Sequence, residues 1–337
     1  MLLRPRVLLL IAIIILVLVV MIVGVTSCIH RNNEKANQPV EETKPKNEQD
    51  ERVAAGVSAG MTSKFTVALD DGELLATIAQ NADQYEDERM LDLALNEPAS
   101  RSFVAAYPSS DKSSRGYDET VKRGEVPNLY NWDERWGAVT YGNGPLAITG
   151  SGPTTLAMAY MGLTGKTDFS PTEIAQQASK SNYADGDSGS KEELFSKLTN
   201  SMGLSATSYT PAVETLAALS DTTVFAAELK EGTLTDEAHW VLVVNMNDDD
   251  TVTVFDPTST YVSGRTWDVN TISNASKVLY AISPTEDTLA ELEKNSSSSS
   301  SSSSSKSSKD ESSDTTASEE DAYGTSEEST ESETEAY

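Results

Sequence analysis

The apolar and polar positions divide the chain into stretches of very different character. Residues 7–23 form an unbroken apolar run that follows Arg4 and Arg6 and continues through Gly24 and Val25. At a helical rise of about 1.5 Å per residue such a run covers roughly the hydrocarbon core of a bilayer. It exceeds the usual apolar core of a cleaved signal, which predicts a retained signal anchor over residues 1–30 with a cytoplasmic N-terminus. The alternative is a lipoprotein signal, because Val25-Thr26-Ser27-Cys28 looks like a lipobox with Cys28 as the lipidated residue. Either way the remainder is exported and tethered to the cell membrane, facing the extracellular side. Residues 31–61 are rich in Glu, Lys, Asn and Pro without a hydrophobic period and read as a polar linker. From 62 to 125 the helical period appears. Leu74, Leu75 and Ile78 share one face, Met90, Leu91 and Ala94 share another, and Pro98 interrupts the pattern before residues 103–107. This is a helical lead-in.

Residues 126–284 carry clearer punctuation. Pro153 suits a first helical turn, Leu156, Ala159, Tyr160 and Leu163 repeat at helical spacing, and Gly165 closes the element. Ser170-Pro171-Thr172-Glu173 and Ser190-Lys191-Glu192-Glu193 both read as capping boxes, and Thr210-Pro211 begins one more short helix. The pattern then changes to strands at 223–229, 239–245, 251–255 and 278–282, with residues 247–250 as a hairpin turn. Helices first and an antiparallel sheet afterwards predict an α+β domain. Beyond Pro284 a short amphipathic piece runs into a serine tract and then into Ser, Thr, Glu and Asp. Residues 285–337 are therefore expected to be a disordered, acidic tail.

Composition narrows the chemistry. A formal net charge of -28 repels phosphate backbones and argues against nucleic-acid partners. Cys28 is the only cysteine, so the globular part has neither a disulfide nor a thiol nucleophile. The histidines are His30 and His239 alone, too few for a zinc site built from Cys and His, and nothing calls for a cofactor. The acidic clusters at 185–187 and 248–250 lack full calcium-loop spacing and read as solvated turns. Trp132 and Trp136 read as core.

One ordered set of motifs is specific. Asn131-Trp132-Asp133 and Tyr141-Gly142 precede Gly150-Ser151-Gly152-Pro153 running into Leu156-Ala157-Met158. His239 then heads the apolar segment Trp240-Val241-Leu242-Val243-Val244, and Asp256-Pro257 follows the next strand. The set resembles cysteine peptidase family 39-like domains, papain-like relatives of the double-glycine leader peptidases of bacteriocin exporters. The resemblance implies a papain-like arrangement, with N-terminal helices packed on an antiparallel sheet. It also implies that Ser151 stands at the nucleophile position, His239 at the base, Asp256 at the orienting acid, and Asn131 at the residue whose side-chain amide serves the oxyanion hole.

Two of those positions depart from the family pattern. A thiol ionises near pH 8.5 and can be held as a thiolate, whereas the Ser151 hydroxyl must lose its proton during attack. Asn131 in place of glutamine shortens the amide arm by about 1.5 Å, and a misplacement of about 1 Å costs roughly a hundredfold in rate. The expectation is a pseudopeptidase that binds a peptide, a cell-wall ligand or a surface protein. A serine hydrolase using a Ser151-His239-Asp256 triad is the alternative, and a structural head on a surface stalk is the third.

Overall fold

The computed structural model describes residues 46–301 apart from 187, 188 and 233. The apolar run, Cys28 and the acidic tail from residue 302 onward lie outside the described residues. No helix among the described residues is long and apolar enough to cross a membrane. The chain divides into two units at Pro284.

Order begins earlier than the polar composition suggests, which corrects the expected linker boundary. The Asn47 amide donates to the Ala54 carbonyl and to Thr62 Oγ1, and Val53 is buried. One well-placed amide thus folds a polar segment back onto the first helix. The lead-in consists of α1 (Ala59–Ala68), α2 (Glu73–Gln80), α3 (Arg89–Asn96) and α4 (Arg101–Ala106). Phe65, Leu75, Ile78, Met90, Leu91 and Val104 form its core, and Trp132 of the following segment packs into the same cluster. A short hairpin of β1 (Thr140–Tyr141) and β2 (Gly144–Pro145) leads through α5 (Leu146–Thr149) into α6 (Ser151–Thr164).

Helix α6 is buried over its whole length. Its uncharged sequence, which includes Leu156, Met158, Tyr160 and Met161, allows this, since an all-round apolar helix has no face for water. Gly165 ends it in the left-handed conformation at φ 70, where a Cβ would be strained. Helix α7 (Pro171–Lys180) follows with the predicted capping box of Ser170 and Glu173. The second expected box does not form. Residues Ala184–Asp185 (β3) and Gly189–Ser190 (β4) make a small hairpin, and the Ser190 hydroxyl pairs with Tyr141 Oη at 2.8 Å. The chain then enters a wide π-type turn at Leu194–Leu198 and a single turn, α8 (Thr199–Ser201).

The main sheet contains β5 (Leu204–Tyr209), β6 (Val224–Leu229), β7 (His239–Met246), β8 (Thr251–Phe255), β9 (Thr266–Asp268) and β10 (Ser276–Pro284). Its order is β5-β10-β6-β7-β8-β9, antiparallel throughout. Short helices α9 (Val213–Leu216), α10 (Thr260–Ser263) and α11 (Val269–Ala275) lie between strands in sequence. Along β6, Val224 and Ala226 face the α6 side, while Phe225, Ala227 and Leu229 face a second core with Val241, Val243, Val252, Leu279 and Ile272. Both faces are covered, which explains the near-continuous apolar run of β6 and β7. On the α6 side Phe195, Trp240 and Tyr280 cluster, with the first two ring centroids 4.2 Å apart. Trp136 is fully buried there, as expected.

Strands β5 and β9 were not predicted. The first is Ser/Thr-rich and the second is only three residues long, so neither shows a usable alternation. The second unit contains α12 (Glu286–Ser301), a helix where an unstructured tail was expected. Thr285 Oγ1 accepts from the Thr288 N–H, and Glu286 and Asp287 occupy the positive first turn, which favours nucleation.

Candidate functional site

The site assembles where the start of β7 docks on the start of α6. Two bonds fix this junction. The Trp240 N–H donates to Ser151 Oγ at 3.3 Å, and Thr155 Oγ1 donates to the Trp240 carbonyl at 3.1 Å. Ser151 is buried at the first helical position, following Gly150. His239 stands one residue before Trp240, with its side chain only 10% exposed. Ser151, His239 and Asp256 line one cleft of about 1060 Å³.

The imidazole is held on both sides. Nε2 lies 3.0 Å from Asp256 Oδ2 and 3.0 Å from Thr258 Oγ1. The Thr258 hydroxyl donates to Asp256 Oδ1 at 2.7 Å, so it presents lone pairs to the ring. Nδ1 faces the Glu237 carbonyl at 3.0 Å, an acceptor without a proton to give. Both nitrogens therefore donate, which is the hydrogen-bonding pattern of an imidazolium. Burial, the largest single influence, pulls the His239 pKa down. The Asp256 charge and hydrogen bond, together with the Glu237 carbonyl, outweigh it, and the net shift is upward. No hydrogen bond joins His239 to Ser151. A general base needs a lone pair within reach of the hydroxyl, and here neither ring nitrogen offers one.

Asn131 is fully buried behind the helix start. Its amide meets complementary partners in one orientation. The oxygen accepts from the Ser151 N–H at 3.2 Å, and the nitrogen donates to Thr154 Oγ1 at 2.8 Å and to the Gly150 carbonyl at 3.3 Å. Its own backbone N–H donates to the Pro257 carbonyl at 2.8 Å, tying it to the loop that carries Asp256. The Asn131 side-chain amide and the Ser151 N–H are thus both engaged. An oxyanion hole requires donors aimed at the reacting oxygen, and these are aimed into the protein.

The structure brings all four predicted residues of the globular part together, and Cys28 lies outside the described residues. Sequence reasoning missed six contributors. Thr258 completes the His239–Asp256 pair, and its signal was available as a hydroxyl two residues after an aspartate, with its N–H on Asp256 Oδ1 at 2.7 Å. Glu97 of the lead-in accepts from Thr260 N at 2.8 Å and from Thr260 Oγ1 at 2.7 Å, pinning the lead-in to the loop after Asp256. Lys64, Arg89, Leu93 and Asn96 make the lead-in a wall of the cleft. No local pattern announces a contact across 163 residues.

A second hollow of about 590 Å³ lies beyond Ala238 and His239, which line both. There Tyr280 donates to Glu192 at 3.2 Å, and burial together with the Glu192 charge pushes its pKa up to about 12. Lys277 pairs with Glu228 at 3.1 Å. Among the described residues no group of three or more His, Cys, Asp and Glu is gathered to hold a metal ion.

Fold and site together define an α+β unit in which helices and an antiparallel sheet surround a cleft containing serine, histidine and aspartate. No family model matches the chain, and no curated protein matches it. Among solved structures, the chain is similar to the crystal structure of the peptidase domain of Streptococcus ComA, a bifunctional ABC transporter involved in a quorum-sensing pathway. The identity is 14% and the TM-score 0.32, over 40% of this chain and 92% of that one.

Proposed function

We propose that the chain is an exported, membrane-tethered domain of the papain-like family 39 type that has lost peptidase chemistry. In this reading it binds a peptide, a cell-wall ligand or a surface protein in the inherited cleft. The family assignment rests on the ordered motifs around Asn131, Ser151, His239 and Asp256. Export and tethering rest on the N-terminal apolar run and the arginines before it.

The observation that carries the loss of chemistry is the interlock of Asn131 with Ser151. The amide oxygen occupies the Ser151 N–H, and the amide nitrogen is spent on Thr154 and Gly150. A tetrahedral oxyanion would find neither of these two donors free, and losing a single such donor costs roughly 10²–10³ in rate. The doubly donating His239 removes the base as well. The competing reading, a serine hydrolase, draws on the shared cleft of Ser151, His239 and Asp256.

A fluorophosphonate probe separates the two readings. On the full-length protein the expected result is no labelling beyond that of Ser151→Ala. Labelling that vanishes in both Ser151→Ala and His239→Ala would establish the hydrolase instead. Restoration supplies the complementary arm. Ser151→Cys alone is expected to stay inactive on peptide libraries, because the Asn131 interlock persists. Ser151→Cys combined with Asn131→Gln is expected to gain cleavage.

A further inference from the structure

The two edges of the sheet are built differently. β9 spans only Thr266–Asp268, ends on an acid, and follows Arg265. β5 spans Leu204–Tyr209 and pairs with β10 in unbroken register from Leu204↔Pro284 to Tyr209↔Leu279. Among the described residues β10 is its only paired neighbour. Natural edge strands are guarded by charge, proline, a bulge, short length or a cover. β5 has no charge, no proline and no register shift. Ser205, Thr207, Ser208 and Tyr209 are exposed, so neither layer of helices reaches over this edge.

The surroundings match. Residues 198–213 contain no charged side chain, between Lys197 and Glu214. On a chain of net charge -28 the exposed positions 205 and 207–210 are neutral, so a second, equally acidic copy could approach them without like charges meeting. The chain's own segments outside the described residues suit the edge poorly. Residues 31–45 carry charges and two prolines, and the tail beyond residue 305 is interrupted repeatedly by Lys, Asp and Glu.

We propose that β5 is a docking edge for a second copy of this chain, the two strands pairing antiparallel about a two-fold axis through Thr207. Opposite residues of an antiparallel pair share a face, so a two-fold axis normal to the sheet pairs positions of equal parity. The exposed stretch 205–209 has Thr207 at its midpoint. Thr207 then lies opposite the partner's Thr207, and Ser205 opposite the partner's Tyr209. Leu204 and Ala206 stay on the α6 side, so the core layers of both copies continue across the junction. Backbone hydrogen bonds supply the attachment and Ser/Thr pairs the register.

Cross-linking tests this in the full-length chain. With Cys28→Ser as background, Thr207→Cys carries the only thiol. Opposed Cα atoms in such a pair lie about 4.5–5.5 Å apart, inside the disulfide range. Mild oxidation is expected to give a disulfide dimer at least tenfold faster than with Ser63→Cys, an exposed control on α1. Adding Ser205→Lys and Tyr209→Lys should abolish that advantage. As a second route, mixed Ser205→Cys and Tyr209→Cys chains should cross-link with each other faster than either does alone, provided circular dichroism matches the parent. Equal rates at Thr207→Cys and Ser63→Cys, or insensitivity to the two lysines, would overturn the proposal. A Thr207→Cys adduct of another mass would assign the edge to a foreign strand and overturn it equally.

Discussion

Replacing Glu97 by alanine removes the clasp between the lead-in and the loop that carries Asp256 and Thr258. Glu97 is 6% exposed, and its carboxylate accepts from Thr260 N at 2.8 Å, Thr260 Oγ1 at 2.7 Å and Ala99 N at 3.3 Å. Hydrogen bonds to a charged group contribute about 1.5–3 kcal/mol each, and the long contact to Ala99 adds little. Water entering from the cleft re-satisfies part of the Thr260 loss, because Glu97 lines that cleft. The expected destabilisation is about 3 kcal/mol. Glu97→Gln keeps the shape and one carbonyl oxygen for the Thr260 N–H, and should cost about 1 kcal/mol. Urea unfolding of the full-length chain reads both as shifts in midpoint at unchanged slope. Amide exchange at residues 258–261 should quicken in Glu97→Ala before that of β6 or β7 changes. A loss below about 1 kcal/mol in Glu97→Ala, or a slowed exchange at 258–261, would refute the reasoning that this carboxylate holds the cleft wall.

Two further outcomes follow from the site. His239 should titrate above its ordinary value near 6.5, seen by ring NMR in a His30→Ala background where it is the last histidine, and Asp256→Asn should lower it. Because the folded value is raised, the pair's stabilisation is fully present below the unfolded value and lost as pH rises through the folded one. A ring that titrates below 6.5 would remove the imidazolium from the account. Gly189→Ala should destabilise by about 3 kcal/mol or more in the same urea assay. The residue sits at φ 88, and a Cβ would lie 2.2 Å from the Thr149 carbonyl oxygen. A neutral Gly189→Ala would mean that the β4 hairpin is not seated against α5.

Much of the fold was legible because the relevant signals are local. Pro153 and Gly165 bracket α6, Ser170 and Glu173 start α7, and the apolar run after His239 is β7, each decided by groups within a turn or two of one another. The resemblance carried by the ordered motifs named Ser151, His239, Asp256 and Asn131 together, and the structure brings them close to one another. Three readings gave way to longer-range effects. Asn47 orders a polar segment by reaching Thr62, Ser190 is taken by Tyr141 instead of capping a helix, and β5 is a strand because β10 lies beside it.

What the sequence by itself determined is which side chains stand at the four positions that the resemblance singles out, since residue identity is local information. What only the tertiary structure decided is where their hydrogen-bonding capacity is spent. Asn131 could have pointed its amide at a substrate, and His239 could have offered a lone pair to Ser151. Each is instead satisfied by groups from elsewhere in the chain, Asn131 by the Ser151 helix start, His239 by Asp256 and Thr258. Buried donors and acceptors must find partners, and at Asn131 and His239 the protein itself supplies them.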